Sequence, residues 1–315
     1  MTPPMQTRRR LSTAATAAPG CGSFFSSDDF LGAIASSHFP GKPWKAETVI
    51  VAGRAFRVLN VNGLVIDKLW THPFFYEPLP EIAAGARPHP YLALVAVDTI
   101  PAPMDNLPIP SRLAPFIDWR PFRKWDEYLV AAHQGPHPAM WKTGAYKSRR
   151  LGRNLGEVVF APHDPAPDVL PALFTWKDAK RLRTGISPVF CHAAVRALYE
   201  QLLAAGHLQV STLRAAGRLL SGILGYLWDG RYYFRLIAHD VTLNAYSPGT
   251  VLLHAMLKHS YERGDAEFDF LMGAEPYKWM YATHARVLSA AGSEPVRTRL
   301  VRRLRRVIHK LRRSV

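Results

Sequence analysis

Cysteine is nearly absent from this chain: Cys21 and Cys191 are the two among 315 residues. Two thiols cannot build a disulfide framework or a cysteine-based zinc site, and such usage fits a reducing compartment. Long apolar runs are missing too. None approaches the roughly 20 residues that cross a bilayer, which excludes a membrane-spanning helix. Acid is scarce, with 24 Asp+Glu against 40 Lys+Arg and a formal charge of +16. That balance favours anionic partners: phosphates, nucleic acid, acidic lipid or acidic glycan. Thirteen histidines look like metal-site material, yet no HExxH spacing occurs. His254 and His259 do not share a helix face well, and Gly135-Pro136 separates His133 from His137. No nucleophile elbow surrounds Ser221 or Ser247. Against these absences stand 48% hydrophobic and 20% charged residues, an ordinary globular composition able to bury a large core in one to two domains.

The charge is unevenly spread. Nine of the cations and no acid fall between Val296 and Val315. Val296, Leu300, Val301, Leu304, Val307, Ile308 and Leu311 recur there at helical spacing, so residues 294–315 read as a basic amphipathic tail helix. Such a helix docks on its own domain, or lies on an anionic membrane surface or nucleic acid. The expected location is cytoplasmic, peripheral at the inner membrane surface where the tail engages it. A second basic cluster, Lys147, Arg149, Arg150 and Arg153, precedes a strand-like run at Glu157 to Phe160. Arg8-Arg9-Arg10 opens what could be read as a twin-arginine signal, but the Ala/Thr-rich stretch behind it is short and barely apolar. Residues 1–45 therefore read as a flexible leader.

Residues 46–120 read as a strand-rich N-terminal half. Val49 to Val51, Phe56 to Leu59, Leu64 to Ile66 and Tyr91 to Val97 are β-branched or aromatic runs, and Asn62-Gly63 signals a hairpin. Pro101, Pro103, Pro108, Pro110 and Pro115 mark a connector. Over 121–293 helices alternate with strands. Asp168 to Arg183 is helical; Ser187-Pro188 predicts a second helix start, with Gly206 its stop. Leu208 to Leu213, Leu219 to Trp228 and Tyr232 to Ile237 are strands, the last two joined by a hairpin at Asp229-Gly230. A helix follows from Ser247-Pro248 to Arg263-Gly264, then strands at Glu267 to Leu271 and His284 to Leu288. This is a mixed α/β layering.

The segment with chemistry runs from Tyr246 to Tyr281. A strand that feeds Ser247-Pro248-Gly249-Thr250 into a helix presents backbone N–H groups and a positive dipole end, and Gly249 allows close approach; such an end receives a pyrophosphate. Most Ser-Pro helix starts are only caps. Phe268 and Phe270 alternate with Glu267 and Asp269, as in a half-buried strand. After Gly273, Glu275-Pro276-Tyr277-Lys278 sets a phenol beside an ammonium, a pairing more often found in rim packing than in active sites.

Taken together, the SPG-initiated helix, Asp-Phe-Leu-x-Gly and Tyr-Lys at this spacing resemble the BioF2-like (CelD-type) acetyltransferases of the GCN5-related N-acetyltransferase (GNAT) superfamily, close in architecture to the Fem aminoacyl transferases. The resemblance spans roughly 120–290, with WDEYL at Trp125 to Leu129 included. It implies a mostly antiparallel GNAT-type sheet flanked by helices, with the N-terminal half as a degenerate second copy. It implies acetyl-CoA or another acyl-CoA as donor, its pyrophosphate received at Ser247, Pro248, Gly249 and Thr250, although SPGT replaces the superfamily's usual Gly-x-Gly turn. Lys278 matches the lysine that would stabilise the oxyanion, and Tyr277 would position or protonate the leaving thiolate, or only pack. Asp240, Asp269 and Glu275 are the candidate bases. Each also has a plain structural reading: a turn residue, a strand-end cap and an ion-pair partner of Lys278. The implied acceptor is a small molecule or glycan precursor with an amine, attacked directly, without metal or covalent enzyme intermediate. Aminoacyl-tRNA as donor is the Fem-like alternative and suits the charge, though no coiled-coil arm is evident. A binding protein working through its basic tail is the third reading.

Overall fold

The computed structural model describes residues 23–66, 76–77, 88–89, 91, 93–102, 112–134, 139–273 and 275–292. The basic tail lies outside them, as does the leader before Ser23. From Ser23 onward the expected leader is instead folded. Ser27 caps helix α1 (Asp28–His38), with Asp28 and Asp29 in its first turn, where carboxylates favour the positive end. Phe24, Phe25, Phe30, Leu31 and Ile34 are all buried, so apolar burial fixes a stretch whose flank reads as disordered.

Contacts divide the described residues into two compact units, 99–286 and 23–98 with 287–292. The smaller holds α1 and an antiparallel sheet of β1 (Trp44–Val51), β2 (Arg54–Val61) and β3 (Leu64–Ile66). Asn62 (φ 51°) and Gly63 (φ 77°) close the expected hairpin, and Ala52 (φ 50°) with Gly53 (φ 75°) closes its neighbour. Two consecutive left-handed residues suit the twist of the flanking strands. Val49, Val51, Phe56, Val58, Tyr91, Ala93 and Val95 form this unit's core, the last two from β4 (Ala93–Pro101).

The larger unit carries β5 (Leu113–Asp118), α2 (Trp125–Gln134), α3 (Ala139–Leu155), β6 (Val158–Ala161), α4 (Val169–Arg183), α5 (Ala193–Ala204), β7 (Leu208–Ala215), β8 (Arg218–Trp228), β9 (Arg231–His239), α6 (Pro248–Arg263), β10 (Glu267–Asp269), a single turn α7 (Pro276–Trp279) and the start of β11 (His284–Ala291). Its strand order is β11-β5-β10-β9-β8-β7-β6. Neighbours from β6 to β9 are antiparallel, β10 runs parallel to β9, and β5 antiparallel to β10. This is the mixed, mostly antiparallel α/β sheet flanked by helices expected from the sequence.

Three local expectations change. Pro115, assigned to a connector, lies inside β5. Proline removes one ladder donor, but its carbonyl still accepts from the Phe270 N–H at 3.0 Å. Ser187-Pro188 does not start α5, which begins at Ala193. The Asp178 carboxylate instead accepts from the Val189 and Phe190 N–H groups, and the Phe190 ring stacks on Phe174, so a turn is held where a cap was expected. Strand β10 is buried on both faces rather than half-buried, with Glu267, Phe268 and Asp269 all inaccessible.

Helix α6 packs Val251, Leu252, Leu253, Met256 and Leu257 into the main core, each full burial contributing about 1.5–3 kcal/mol. Its other side meets α3 through Gly144, where an added Cβ would lie 2.1 Å from the His254 ring. Gly144→Ala is expected to lower stability by about 1–3 kcal/mol through overpacking, read by denaturant unfolding. An unchanged midpoint would mean that α3 moves off α6 freely.

Candidate active site

The end of β9 leads into α6 through a tightly built turn. Asp240 accepts from the Thr242 N–H at 2.9 Å and pairs with Arg218 at 2.6 Å. Burial opposes its ionisation, but the Thr242 and Arg218 hydrogen bonds hold its carboxyl below the usual range. Asp240 is thus a turn residue and not an available base. Ser247 takes a left-handed conformation (φ 49°, ψ 55°) without using its side chain as a cap. Its carbonyl accepts from the Thr250 and Val251 N–H groups. Since Pro248 has no N–H, Gly249 carries the first backbone donor of the helix, one of the N–H groups that an α-helix leaves without an intrahelical partner. Buried Ser221 donates to the Pro248 carbonyl at 3.1 Å, tying the helix start to β8.

Strand β10 pairs with β9 only over Arg231 to Tyr233. From Phe234 to His239 β9 runs on without it. Opposite β8, Leu224 faces Leu236 while Gly225 faces Phe234, so Arg235 is the extra residue of a bulge. A bulge bends its strand and increases the twist, here where the two parallel strands part.

A cleft of about 520 Å³ opens along this edge. Ile237, Ala238 and His239 form one side, Gly249, Thr250 and Leu253 the α6 end, Tyr277 and Tyr281 another wall, and Trp176, Lys177, Lys180 and Arg183 of α4 the side opposite. Two expected pyrophosphate residues, Gly249 and Thr250, and the phenol of Tyr277 therefore share one cleft. Ser247 and Pro248 shape the turn without lining it. Burial raises Tyr277 and Tyr281 far above the ordinary phenol range, so both remain protonated. His239 Nε2 lies 2.8 Å from Asn244 Oδ1.

Lys278 is 6% exposed. Its Nζ lies 3.0 Å from the Glu275 carboxylate and donates to the Met272 carbonyl at 3.4 Å. Gly273 makes room, for a Cβ there would fall 2.1 Å from Glu275 Oε2 and 2.5 Å from Lys278 Nζ. Burial pulls the Lys278 pKa below that of an ordinary lysine, against the attraction of Glu275. Burial likewise pushes the Glu275 carboxyl up, but the Lys278 charge outweighs it and leaves the carboxyl low. Glu275 is the partner of the lysine, its plainer reading. Asp269 is fully enclosed; it accepts from the Leu271 N–H at 2.7 Å and pairs with Arg286 at 3.2 Å. It holds the turn after β10 and does not line the cleft.

Lys177 is the cleft residue that sequence reasoning missed. Its Nζ donates to the Ile237 carbonyl at 3.4 Å. Burial first, then the charges of Lys180, Arg235 and Lys278, bring its pKa down to about 8, against the opposing pull of Glu275. Only its neighbour Trp176, also in the cleft wall, hints in the sequence that this face of α4 is not plain surface. Among the described residues no group of three or more His, Cys, Asp or Glu could hold a metal ion, and no helix is long and apolar enough to cross a membrane.

With the geometry in place, comparison with known proteins supports a transferase. Residues 142–279 match the family model of the acetyltransferase (GNAT) domain, the stretch from α3 through α7 that builds the cleft, and the mixed sheet is consistent with a GNAT-type transferase fold. The structure resembles the crystal structure of FemX with a TM-score of 0.53 at 9% identity, covering 90% of this chain and 94% of the other; that likeness is one of fold. L-PGS from Bacillus licheniformis aligns over 61% of this chain and 65% of its own, at 13% identity and a TM-score of 0.42. None of the curated proteins matches the sequence.

Proposed function

We propose that the chain is an acyl-CoA-dependent N-acyltransferase, using acetyl-CoA in its simplest form, in which an acceptor amine attacks the thioester directly. The observation that carries this reading is the cleft itself. It joins the start of α6 to Tyr277 along the stretch of β9 that β10 leaves, within the region matching the acetyltransferase domain. The donor's diphosphate lies at Gly249 and Thr250, where the helix dipole and backbone N–H favour an anion. Its acyl arm follows Ile237 to His239. Lys278, close enough to depress Lys177, favours the oxyanion of the tetrahedral intermediate, an effect worth about 3–4 kcal/mol for a comparable single donor. Tyr277, kept protonated, can donate a hydrogen bond that positions the departing thiolate. Glu275 orients Lys278. The BioF2-like resemblance supports a sugar amine or polysaccharide precursor as acceptor.

A second reading exchanges the donor for aminoacyl-tRNA, supported by the FemX-like fold over 90% of the chain and by the cationic wall of α4. Calorimetric titration separates the two. Acetyl-CoA and longer acyl-CoAs are expected to bind the wild type. Gly249→Glu, which sets a carboxylate against the diphosphate, is expected to weaken binding at least about tenfold, or 1.4 kcal/mol. If a folded wild type binds no acyl-CoA of any length, the donor assignment passes to aminoacyl-tRNA.

A further inference from the structure

Resting on the reading of this cleft as an acyl-transfer site, we propose that Lys177 is its general base: the neutral Lys177 amine takes the proton that the acceptor nitrogen sheds on bonding to the thioester carbonyl carbon. The carboxylates expected for this task are committed elsewhere. Asp240 is bound to Arg218, Asp269 is sealed against Arg286, and Glu275 is paired with Lys278. His239 stands at the α6 end, its Nδ1 3.4 Å from where a Gly249 Cβ would be, beside the donor's phosphates. Lys177 instead lies on the α4 side, with its Nζ at the Ile237 carbonyl of the open strand edge.

Its surroundings disfavour the ammonium form. Lys180 lies one turn along α4, Arg235 comes from the β9 bulge, and Lys278 adds a third positive charge, while Glu275 is the acid that opposes them. With a pKa of about 8, roughly a tenth of the Lys177 amines are neutral at pH 7, against far fewer for an ordinary lysine near 10.4. In the proposed step the acceptor nitrogen's lone pair forms the C–N bond while the carbonyl π pair moves onto oxygen. The nitrogen's proton passes to Lys177 Nζ. When the oxyanion collapses, the C–S bond breaks and its electron pair leaves on the thiolate, which is then protonated by solvent. The Lys177 ammonium returns its proton to water.

The test joins direct titration with turnover. Competitive labelling of the whole protein with acetic anhydride, read by mass spectrometry across pH, should show Lys177 reactivity half-developed near pH 8, well before an ordinary lysine amine. Coincident profiles overturn the inference. Turnover is read as thiol release from acetyl-CoA, with glucosamine as acceptor or with water alone. Lys177→Met and Lys177→Arg should each fall about 100-fold and lose the rise of rate through pH 8, with acetyl-CoA affinity within threefold of wild type. Retention of rate by Lys177→Arg would make this residue a fixed cation and sink the base assignment. Failure of the wild type to bind acetyl-CoA would instead overturn the donor reading beneath it.

Discussion

Arg286→Met is expected to unfold at markedly lower denaturant, with a loss of about 3–5 kcal/mol, the usual cost of removing one partner from a buried ion pair. Arg286 reaches both acids of β10: its Nη1 lies 3.2 Å from Asp269 and its Nη2 contacts Glu267. The guanidinium also sits over the Phe116 ring at 3.8 Å from the centroid. Glu267 would keep Arg231 and Arg120 within 3.2 and 3.3 Å, so Asp269 bears most of the damage. Tryptophan fluorescence during unfolding is a suitable probe, since Trp119 is buried in the main core. Adding Asp269→Asn should recover part of the loss by removing the stranded charge. A shift below 1 kcal/mol in the single variant would mean that water enters β10 readily, contrary to its burial.

Lys278→Ala carries the largest expected kinetic effect. Under the proposed chemistry it lowers the turnover number by about 10²–10³, as for loss of one oxyanion donor, while acetyl-CoA affinity stays near wild type. It has a second, independent signature. Removing this nearby positive charge makes a proton on Lys177 easier to hold, so the residual rate should rise at higher pH than in the wild type. Full turnover in a folded Lys278→Ala protein would remove this lysine from the chemistry.

The hairpins were legible in the sequence because Asn62-Gly63 and Asp229-Gly230 name their turn type directly, and α6 because Ser247-Pro248 and Gly264 bracket an apolar repeat. The connector reading of Pro115 failed because strand β5 pairs with β10 some 150 residues away, and local letters do not record distant partners. Glu267 and Asp269 looked exposed by alternation; the arrival of Arg286 from β11, which reaches both, helps to make their burial tolerable. At the site, Gly249, Thr250 and Tyr277 could be placed from one continuous segment. Lys177 could not, since a helical lysine reads as surface until the open edge of β9 is laid against it. The bulge at Arg235 that helps to open that edge has no signature of its own in the letters.

The cluster of Lys177, Arg235 and Lys278 gathers three cations about the one carboxylate of Glu275. A single negative charge is shared among them, so each cation is the less well neutralised for the presence of the other two. Replacing Lys177 or Lys278 by a neutral residue should therefore relieve repulsion and trade chemical competence for stability.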